Sequence, residues 1–281
     1  MYNKIKKVLF RVSIGSLSWR DIIERSVLRL FDRLRSNYFA ASALLDTMHF
    51  LGISTEEALS RAADAVSTHK ASWNSRERCN ERDILSFYNE DDNYLFTLPL
   101  HWRINTWHFV QRLSPGKRIL EYGCGTACMT KWLLKRYPKN EYTVADLAIA
   151  ATMPFVRYRF RSSPVRILEI GQGREGLPLH EKYDFISCVE VLEHCFDTMM
   201  FIEHLYDHLD KGGILYITYP IDREQLEKGH TSENLRESAL HRDHVLGFLE
   251  NKCFALKSVR PLVIGLDSIW GWDALGIYRK E

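Results

Sequence analysis

A glycine-rich turn within residues 119–127, which read ILEYGCGTA, has the residue types and spacing best suited to chemistry. An apolar pair ends a buried strand, and Gly123 and Gly125 then let the backbone turn sharply and approach a ligand, which a side chain at either position would prevent. Small Ala127 lets the next helix come close. Such a turn is typical of many nucleotide sites, so the neighbouring residues must decide among them.

Two acidic residues give the turn its context. Glu121 lies at the end of the first predicted strand, two residues before Gly123, and Asp146 directly follows the next predicted strand. A carboxylate at the tip of the second strand is placed to accept hydrogen bonds from both ribose hydroxyls of an adenosine. The structural alternative is that Asp146 is a helix N-cap before Leu147.

The elements that position these residues alternate between short apolar strands and helical stretches from residue 117 onward. This order predicts an α/β Rossmann-like fold, with a mostly parallel seven-stranded sheet covered by helices on both faces and a ligand at the carboxyl ends of the strands. The last two strands are expected to form an antiparallel pair. The predicted strands are Arg118–Tyr122, Tyr142–Ala145, Val165–Ile170, Tyr183–Val189, Ile214–Tyr219, Ala255–Ile264 and Ala274–Tyr278.

Residues 1–100 are predicted to form a helical accessory or lid region, followed by the main domain at 101–281. Apolar residues recur at helical spacing from Ile22 to Leu34, and Ser54 with Glu57 forms a capping box that predicts a helix start near residue 54. The first 20 residues are basic and contain no acid. An ordinary helix is the favoured interpretation of them, and a membrane-surface anchor or an organelle transit peptide remain alternatives.

Composition restricts the partners. Lys and Arg total 38 against 36 for Asp and Glu, a net charge of +2, so we expect no DNA partner and disfavour an RNA partner. The six cysteines have no C-x-x-C pair, which favours reduced thiols in the cytoplasm, with Cys124 and Cys128 as small buried side chains. No apolar run approaches the length of a transmembrane helix. Composition gives no oligomeric state.

Two other groups of residues are interpreted as surface features. The local basic cluster is expected to be a solvated helix face with cation–π contacts to Tyr158 and Phe160, rather than a docking site for an acidic partner or RNA. The two histidines of the helix after the fourth strand are expected to share one exposed face. These residues are Arg157, Arg159, Arg161 and Arg166, and His204 and His208.

With the blocks YDFISCVEVLEHCFD (residues 183–197) and LDKGGILYITYP (209–220), the chain resembles the class I S-adenosylmethionine (SAM) dependent methyltransferases over about residues 117–280. The resemblance implies SAM as the cofactor. It implies that the first-strand acid and the glycines hold the methionine part, that the second-strand acid holds ribose and that the region after the third strand holds adenine. The positions that match are Glu121, Gly123 and Gly125, then Asp146, then Gln172, with Glu190 of the EVLEH block also assigned to the cofactor pocket.

Two features depart from the family pattern. Gly171 and Gln172 follow the third strand where the family often has an acid, and Ala127 replaces a glycine, a change expected to preserve close packing. A dinucleotide dehydrogenase would explain the glycines and Asp146, but neither Glu121 nor the EVLEH block.

The EVLEH block also allows a metal alternative. Carboxylates and imidazoles that converge at the carboxyl edge can bind a divalent ion, and Glu190, Glu193, His194 and His244 resemble the metal site of small-RNA 3′-terminal ribose 2′-O-methyltransferases. We predict no metal, because EVLEH is widespread in metal-free small-molecule methyltransferases and the surroundings of His244 do not match the RNA enzymes.

The predicted function is transfer of the SAM methyl group to a small-molecule oxygen, nitrogen or carbon acceptor. Positioning supplies much of the rate, and a base helps only where the acceptor carries a proton to remove. His241 and His244 are the candidate bases, and Tyr219 is expected to line the pocket. The alternatives are a metal-assisted RNA or protein methyltransferase and a non-catalytic SAM-fold subunit that binds a partner.

Overall fold

A computed structural model describes much of the chain. The described residues are 42–75, 86–87, 89, 92–96, 113–148, 152–171, 178–189, 191–192, 198–219, 244–245, 247–249, 251–257 and 274–280. The predictions for the basic N-terminus and for the helical pattern from Ile22 to Leu34 lie outside them.

The described strands form one twisted sheet in the order β3-β2-β1-β4-β5-β7-β6. The first five strands in this order are parallel, β7 is antiparallel to β5, and β6 is antiparallel to β7. The predicted Rossmann-like, mostly parallel sheet and its terminal antiparallel pair are therefore confirmed. The strands are β1 Arg118–Tyr122, β2 Glu141–Leu147, β3 Val165–Ile170, β4 Tyr183–Cys188, β5 Leu209–Tyr219, β6 Cys253–Lys257 and β7 Ala274–Lys280.

The strand order reverses at β1. The chain runs outward from β1 to β2 and β3, and then crosses to β4 on the other side of β1. The connections above β1 and β4 therefore diverge, and this opens a crevice at the carboxyl edge of the sheet, where ligands of such folds bind. The glycine turn follows β1 directly, so the topology puts it at this crevice.

Helices pack on both faces of the sheet, as its period-two pattern requires. Ile119, Phe185 and Tyr216 lie on one face, in one buried cluster with residues of α3 (Cys128–Arg136). Their neighbours along the strands pack on the other face with α5 (Thr198–Asp207). A further helix, α4 (Thr152–Arg159), packs beside α3 through apolar contacts with β2 and β3.

In the described part of the chain before the sheet, residues 42–51 form α1 and Thr55–Asn74 form α2, and further helical residues lie at 86–87, 89 and 94–96. Ser54 is the N-cap of α2, and its hydroxyl accepts a hydrogen bond from the Glu57 amide at 3.1 Å, which confirms the predicted start. Phe50 of α1 packs on α4, with its ring centroid 5.5 Å from that of Phe155 and 5.4 Å from that of Tyr158.

His204 and His208 share one face as expected, but the prediction that this face is exposed is wrong. Both side chains are half-buried, with ring centroids 4.4 Å apart. The Leu179 amide donates to His204 Nε2 at 3.3 Å, and His208 Nδ1 lies 2.8 Å from the His204 carbonyl. The ring of His204 thus helps to attach the segment before β4 to α5. No helix in the described residues has the length and apolar character needed to cross a membrane.

Candidate functional site

The glycine turn connects β1 to α3 and is anchored on the end of β2. Gly123 and Gly125 have φ values of 68° and 51°, in the left-handed region that favours glycine. The amides of Gly123 and Cys124 both donate to the Ala145 carbonyl, at 2.8 and 3.1 Å. The turn is therefore fixed by backbone hydrogen bonds to the neighbouring parallel strand.

Val191 occupies the space above Gly123, so no side chain fits at this position. A Cβ atom built on Gly123 would lie 2.1 Å from Cγ2 of Val191, far inside van der Waals contact. Val191 belongs to the EVLEH block that follows β4. The turn and this block therefore meet across the crevice between β1 and β4.

Ala127 has a backbone conformation that the sequence did not reveal. It has φ 51° and ψ 42°, and it is the N-cap of α3 without a side-chain cap hydrogen bond. An L-residue in this region costs about 1–2 kcal/mol, which glycine would not. The close packing expected of alanine is present, because Ala127 is fully buried, but the replacement of glycine also introduces backbone strain.

Glu121 provides the cap that Ala127 lacks. Its Oε2 accepts a hydrogen bond from the Thr130 amide in the first turn of α3 at 2.8 Å. The residue is only 9% exposed, and this burial raises the pKa of Glu121 from 4.5 to about 7, against the opposing effect of the hydrogen bonds from Thr130 and the charge of Arg159. A buried carboxylate that readily changes its charge thus lies beside the turn.

Asp146 joins the turn to the end of β2. Its carboxylate accepts hydrogen bonds from the amides of Gly125 and Leu147, the latter at 2.7 Å. Burial raises the pKa of Asp146 to about 6, although both amides favour the ionised form. The alternative of a helix N-cap before Leu147 is wrong, because Leu147 still belongs to β2.

The other predicted site residues are placed only in part. Tyr219 ends β5 at the same carboxyl edge, two strands from β1, which corresponds to about 10 Å across the sheet. His244 is exposed. Gln172, Glu190 and His241, and also Glu193 and His194, lie outside the described residues. Within the described part of the chain, no group of three His, Cys, Asp or Glu side chains is arranged to hold a metal ion.

The basic cluster matches its prediction only in part. The guanidinium of Arg161 lies 4.1 Å from the Tyr158 ring centroid, as expected, and Arg157 pairs with Glu169 at 2.7 Å. Arg166 pairs with Glu181. Arg159 does not belong to a solvated face, because it is 5% exposed.

Arg159 is the residue near the turn that sequence reasoning missed. It donates to Asp46, to the Thr126 carbonyl and to the Cys128 sulfur. Its partners are distant in sequence or are backbone atoms, so periodicity and spacing carried no signal for them. Cys124 and Cys128 are buried free thiols, as predicted.

The switch-point crevice, the glycine turn, the buried Glu121 and the half-buried Asp146 together define a Rossmann-like domain of the type that binds a nucleotide-derived cofactor. A family model described as "Methyltransferase domain" matches residues 99–250, more than half of the chain. The chain belongs to this family, and the matched segment is a methyltransferase domain.

Relatives by sequence carry methyltransferase names. The chain is 31% identical over 120 residues to a malonyl-[acyl-carrier protein] O-methyltransferase of Bacillus anthracis, which covers 41% of this chain and 41% of that protein. It is 30% identical over 105 residues to malonyl-[acyl-carrier protein] O-methyltransferase 1 of Ilyobacter polytropus, covering 37% and 38%. The chain spans about two fifths of the length of these curated relatives.

A solved structure shares the fold. A chain of the complex that contains the Haloferax volcanii Trm112 methyltransferase activator superposes with a TM-score of 0.52 at 14% identity, covering 73% of this chain and 99% of its own length. The N-methyltransferase NodS of Bradyrhizobium japonicum WM9 in complex with S-adenosyl-L-homocysteine (SAH) has a TM-score of 0.47 at 17% identity, covering 77% and 98%.

Proposed function

We propose that the chain transfers the methyl group of SAM to a small-molecule oxygen, nitrogen or carbon, and that the glycine turn is the SAM site. Glu121 and the backbone at Gly123 and Gly125 contact the methionine part, and Asp146 accepts from the ribose hydroxyls. Gln172 contacts adenine, and Glu190 borders the same pocket. The observation that carries this proposal is the direct hydrogen bond from the Gly125 amide to the Asp146 carboxylate.

The residues present suit this cofactor. The turn follows β1 directly at the switch point, so its backbone borders the crevice where ligands of such folds bind. Each Asp146 oxygen accepts one amide hydrogen bond and has further lone-pair capacity for a hydroxyl. The carboxylate of Glu121 complements the positively charged ammonium and sulfonium groups of SAM.

The residues of the proposed site contribute to the rate of methyl transfer mainly by positioning the acceptor against SAM. When bound, SAM supplies an already activated methyl group, so orientation of the acceptor accounts for much of the rate. For a hydroxyl acceptor, His241 or His244 would take up the proton, and Tyr219 would line the acceptor space at the end of β5. The N-terminal helical region would cover the cofactor mouth and shape the acceptor pocket.

Charge distribution favours a small acceptor over RNA. Arg157 and Arg166 are both neutralised by acidic partners, and Arg159 is buried. In the described part of the chain, Arg161 is the member of the cluster without an acidic partner, so the cluster offers little of the free positive charge that contacts phosphates in RNA sites. We also place the enzyme in the cytoplasm, which the free thiols of the described cysteines support.

Calorimetry with SAH tests the cofactor site. We expect wild-type protein to bind SAH, and Asp146→Asn to weaken binding at least about tenfold, because the ribose hydroxyls lose a charged acceptor. Glu181→Gln is the matched control, since Glu181 is an exposed acid paired with Arg166. Wild-type affinity in Asp146→Asn would reject this site.

An acceptor panel then tests the reaction. Methyl transfer from labelled SAM is measured with hydroxyl, amine and activated-carbon compounds, and with malonyl-acyl-carrier protein because the relatives above are named for it. Deletion of residues 1–90 is expected to leave SAH binding measurable but to abolish turnover on any acceptor found. Unchanged turnover would reject the role of the N-terminal region, and turnover dependent on a divalent ion would favour the metal alternative.

A further inference from the structure

A buried arginine joins three parts of the chain that are far apart in sequence. Arg159 is the last residue of α4, and its Nε donates to Oδ2 of Asp46 in α1 at 2.9 Å. Its Nη1 donates to the Thr126 carbonyl and lies 3.3 Å from the Cys128 sulfur. One guanidinium thus connects an N-terminal helix, the glycine turn and the start of α3.

The charge balance around Arg159 makes these contacts interdependent. Arg159 is 5% exposed, and a guanidinium in such surroundings is costly unless an acid and hydrogen-bond acceptors compensate its charge. Asp46, with a side chain 28% exposed, is its ion-pair partner in the described part of the chain. Without the Asp46 charge, the remaining partners of the guanidinium are the neutral groups of the turn, the Phe155 ring and the distant charge of Glu121.

The contact to Thr126 acts on a strained piece of backbone. Thr126 lies between Gly125 and Ala127, which both have φ values of 51°. The carbonyl of Thr126 belongs to the peptide unit that links to Ala127, so the hydrogen bond from Arg159 fixes the orientation of this unit. The same stretch presents the Gly125 amide to Asp146.

We propose that Arg159 is a positioning residue that couples the docking of α1, through Asp46, to the shape of the cofactor turn. The N-terminal helix then strengthens SAM binding without contact with the cofactor. This inference rests on the proposed SAM site, because it requires the turn to hold SAM. Coupling of this kind is established by a double-mutant cycle rather than by proximity.

The experiment measures SAH affinity by calorimetry on the full chain. We expect Asp46→Asn to raise the Kd at least about fivefold, Arg159→Gln at least about tenfold, and the double variant no more than Arg159→Gln alone, because both remove one shared interaction. Asp46→Glu keeps the charge and is expected to restore affinity. Arg157→Gln is the matched control on the same helix, since Arg157 is exposed and pairs with Glu169.

Hydrogen exchange provides a readout that general destabilisation would not reproduce. The Ala127 amide donates to the Cys124 carbonyl at 2.7 Å inside the turn. In Asp46→Asn, its exchange is expected to accelerate while the amides at the centre of the sheet keep their wild-type rates. Asp46→Asn decides the question if Arg159→Gln does not fold, because its side chain keeps nearly the same shape.

The outcomes separate the two proposals. A folded Asp46→Asn variant with a Kd within about twofold of wild type and unchanged exchange at Ala127 overturns the coupling, as do additive losses in the cycle. Failure of wild-type protein to bind SAH, or unchanged affinity in Asp146→Asn, instead rejects the turn as the SAM site.

Discussion

Replacement of Glu121 by glutamine tests the energetics of the buried acid. The substitution keeps the shape and the acceptor for the Thr130 amide, and it removes the ionisable group. Because burial raises the pKa of Glu121 from 4.5 to about 7, the folded protein binds a proton there that the unfolded chain has released at intermediate pH. At 1.36 kcal/mol per pKa unit, ionisation of the buried group costs the fold about 3 kcal/mol.

The sign and the pH range follow from this difference. Below pH 4.5 the group is protonated in both states and costs nothing. As the pH rises from 4.5 to about 7, the unfolded chain ionises first, so the stability contributed by the raised pKa is progressively lost. Above about pH 7 the loss is complete and stays constant.

Urea denaturation at several pH values between 4.5 and 9 measures the effect in wild type and in Glu121→Gln. The free energy of unfolding of the variant minus that of wild type is expected to increase by about 3 kcal/mol across this range, since all other titrating groups cancel in the difference. A difference that stays constant with pH, or one that decreases, would show that Glu121 is not forced to ionise in a buried environment.

The same substitution tests the role of Glu121 in SAM binding. A cation next to the carboxylate favours its ionised form, so wild-type affinity for SAM is expected to rise with pH up to about 7. Isothermal calorimetry on Glu121→Gln should give weaker binding with much less of this pH dependence. Equal pH dependence in both proteins would mean that the ammonium of SAM lies away from Glu121.

Glycine and alanine variants test the conformation of the turn. Gly123→Ala is expected to lower the free energy of unfolding by about 2–5 kcal/mol, because of strain at positive φ and overlap with Val191. Gly116 also has positive φ but no atom within 4 Å of an added Cβ, so Gly116→Ala should lower the free energy of unfolding only by the strain of about 1–2 kcal/mol. Equal losses in the two variants, measured by denaturant titration, would contradict the overlap. Ala127→Gly should change stability by less than about 0.5 kcal/mol, because relief of the left-handed backbone offsets the lost methyl group. Ala58→Gly in α2, also fully buried, should lose about 1–2 kcal/mol, and a similar loss at Ala127 would refute the strain.

The parts of the fold that sequence predicted are those whose cause is local. The strands β1 and β3 begin and end where the apolar runs do, and the N-cap at Ser54 lies three residues before the amide that it accepts from. Gly123 and Gly125 predicted a sharp turn, and Glu121 and Asp146 lie at the carboxyl ends of their strands, as predicted. Each of these features depends on residues within one turn or one strand, or on the shared edge of a parallel sheet.

The features that sequence did not predict depend on contacts between distant segments. The raised pKa values of Glu121 and Asp146 arise from burial, which no short window of sequence determines. The overlap at Gly123 requires Val191 from beyond β4. The partial burial of His204 on α5 likewise depends on the segment before β4.

The burial of Arg159 also depends on contacts between distant segments. In sequence it is one of several arginines among aromatic residues, and its charge pattern favoured a solvated face. In the structure it pairs with an acid 113 residues earlier and holds a backbone carbonyl of the turn. A guanidinium is buried only where several separate segments supply its acceptors, so its position depends on the completed fold. In the coupling that we propose, the N-terminal region, assigned from sequence to the acceptor pocket, also acts on cofactor binding through the contacts of Arg159.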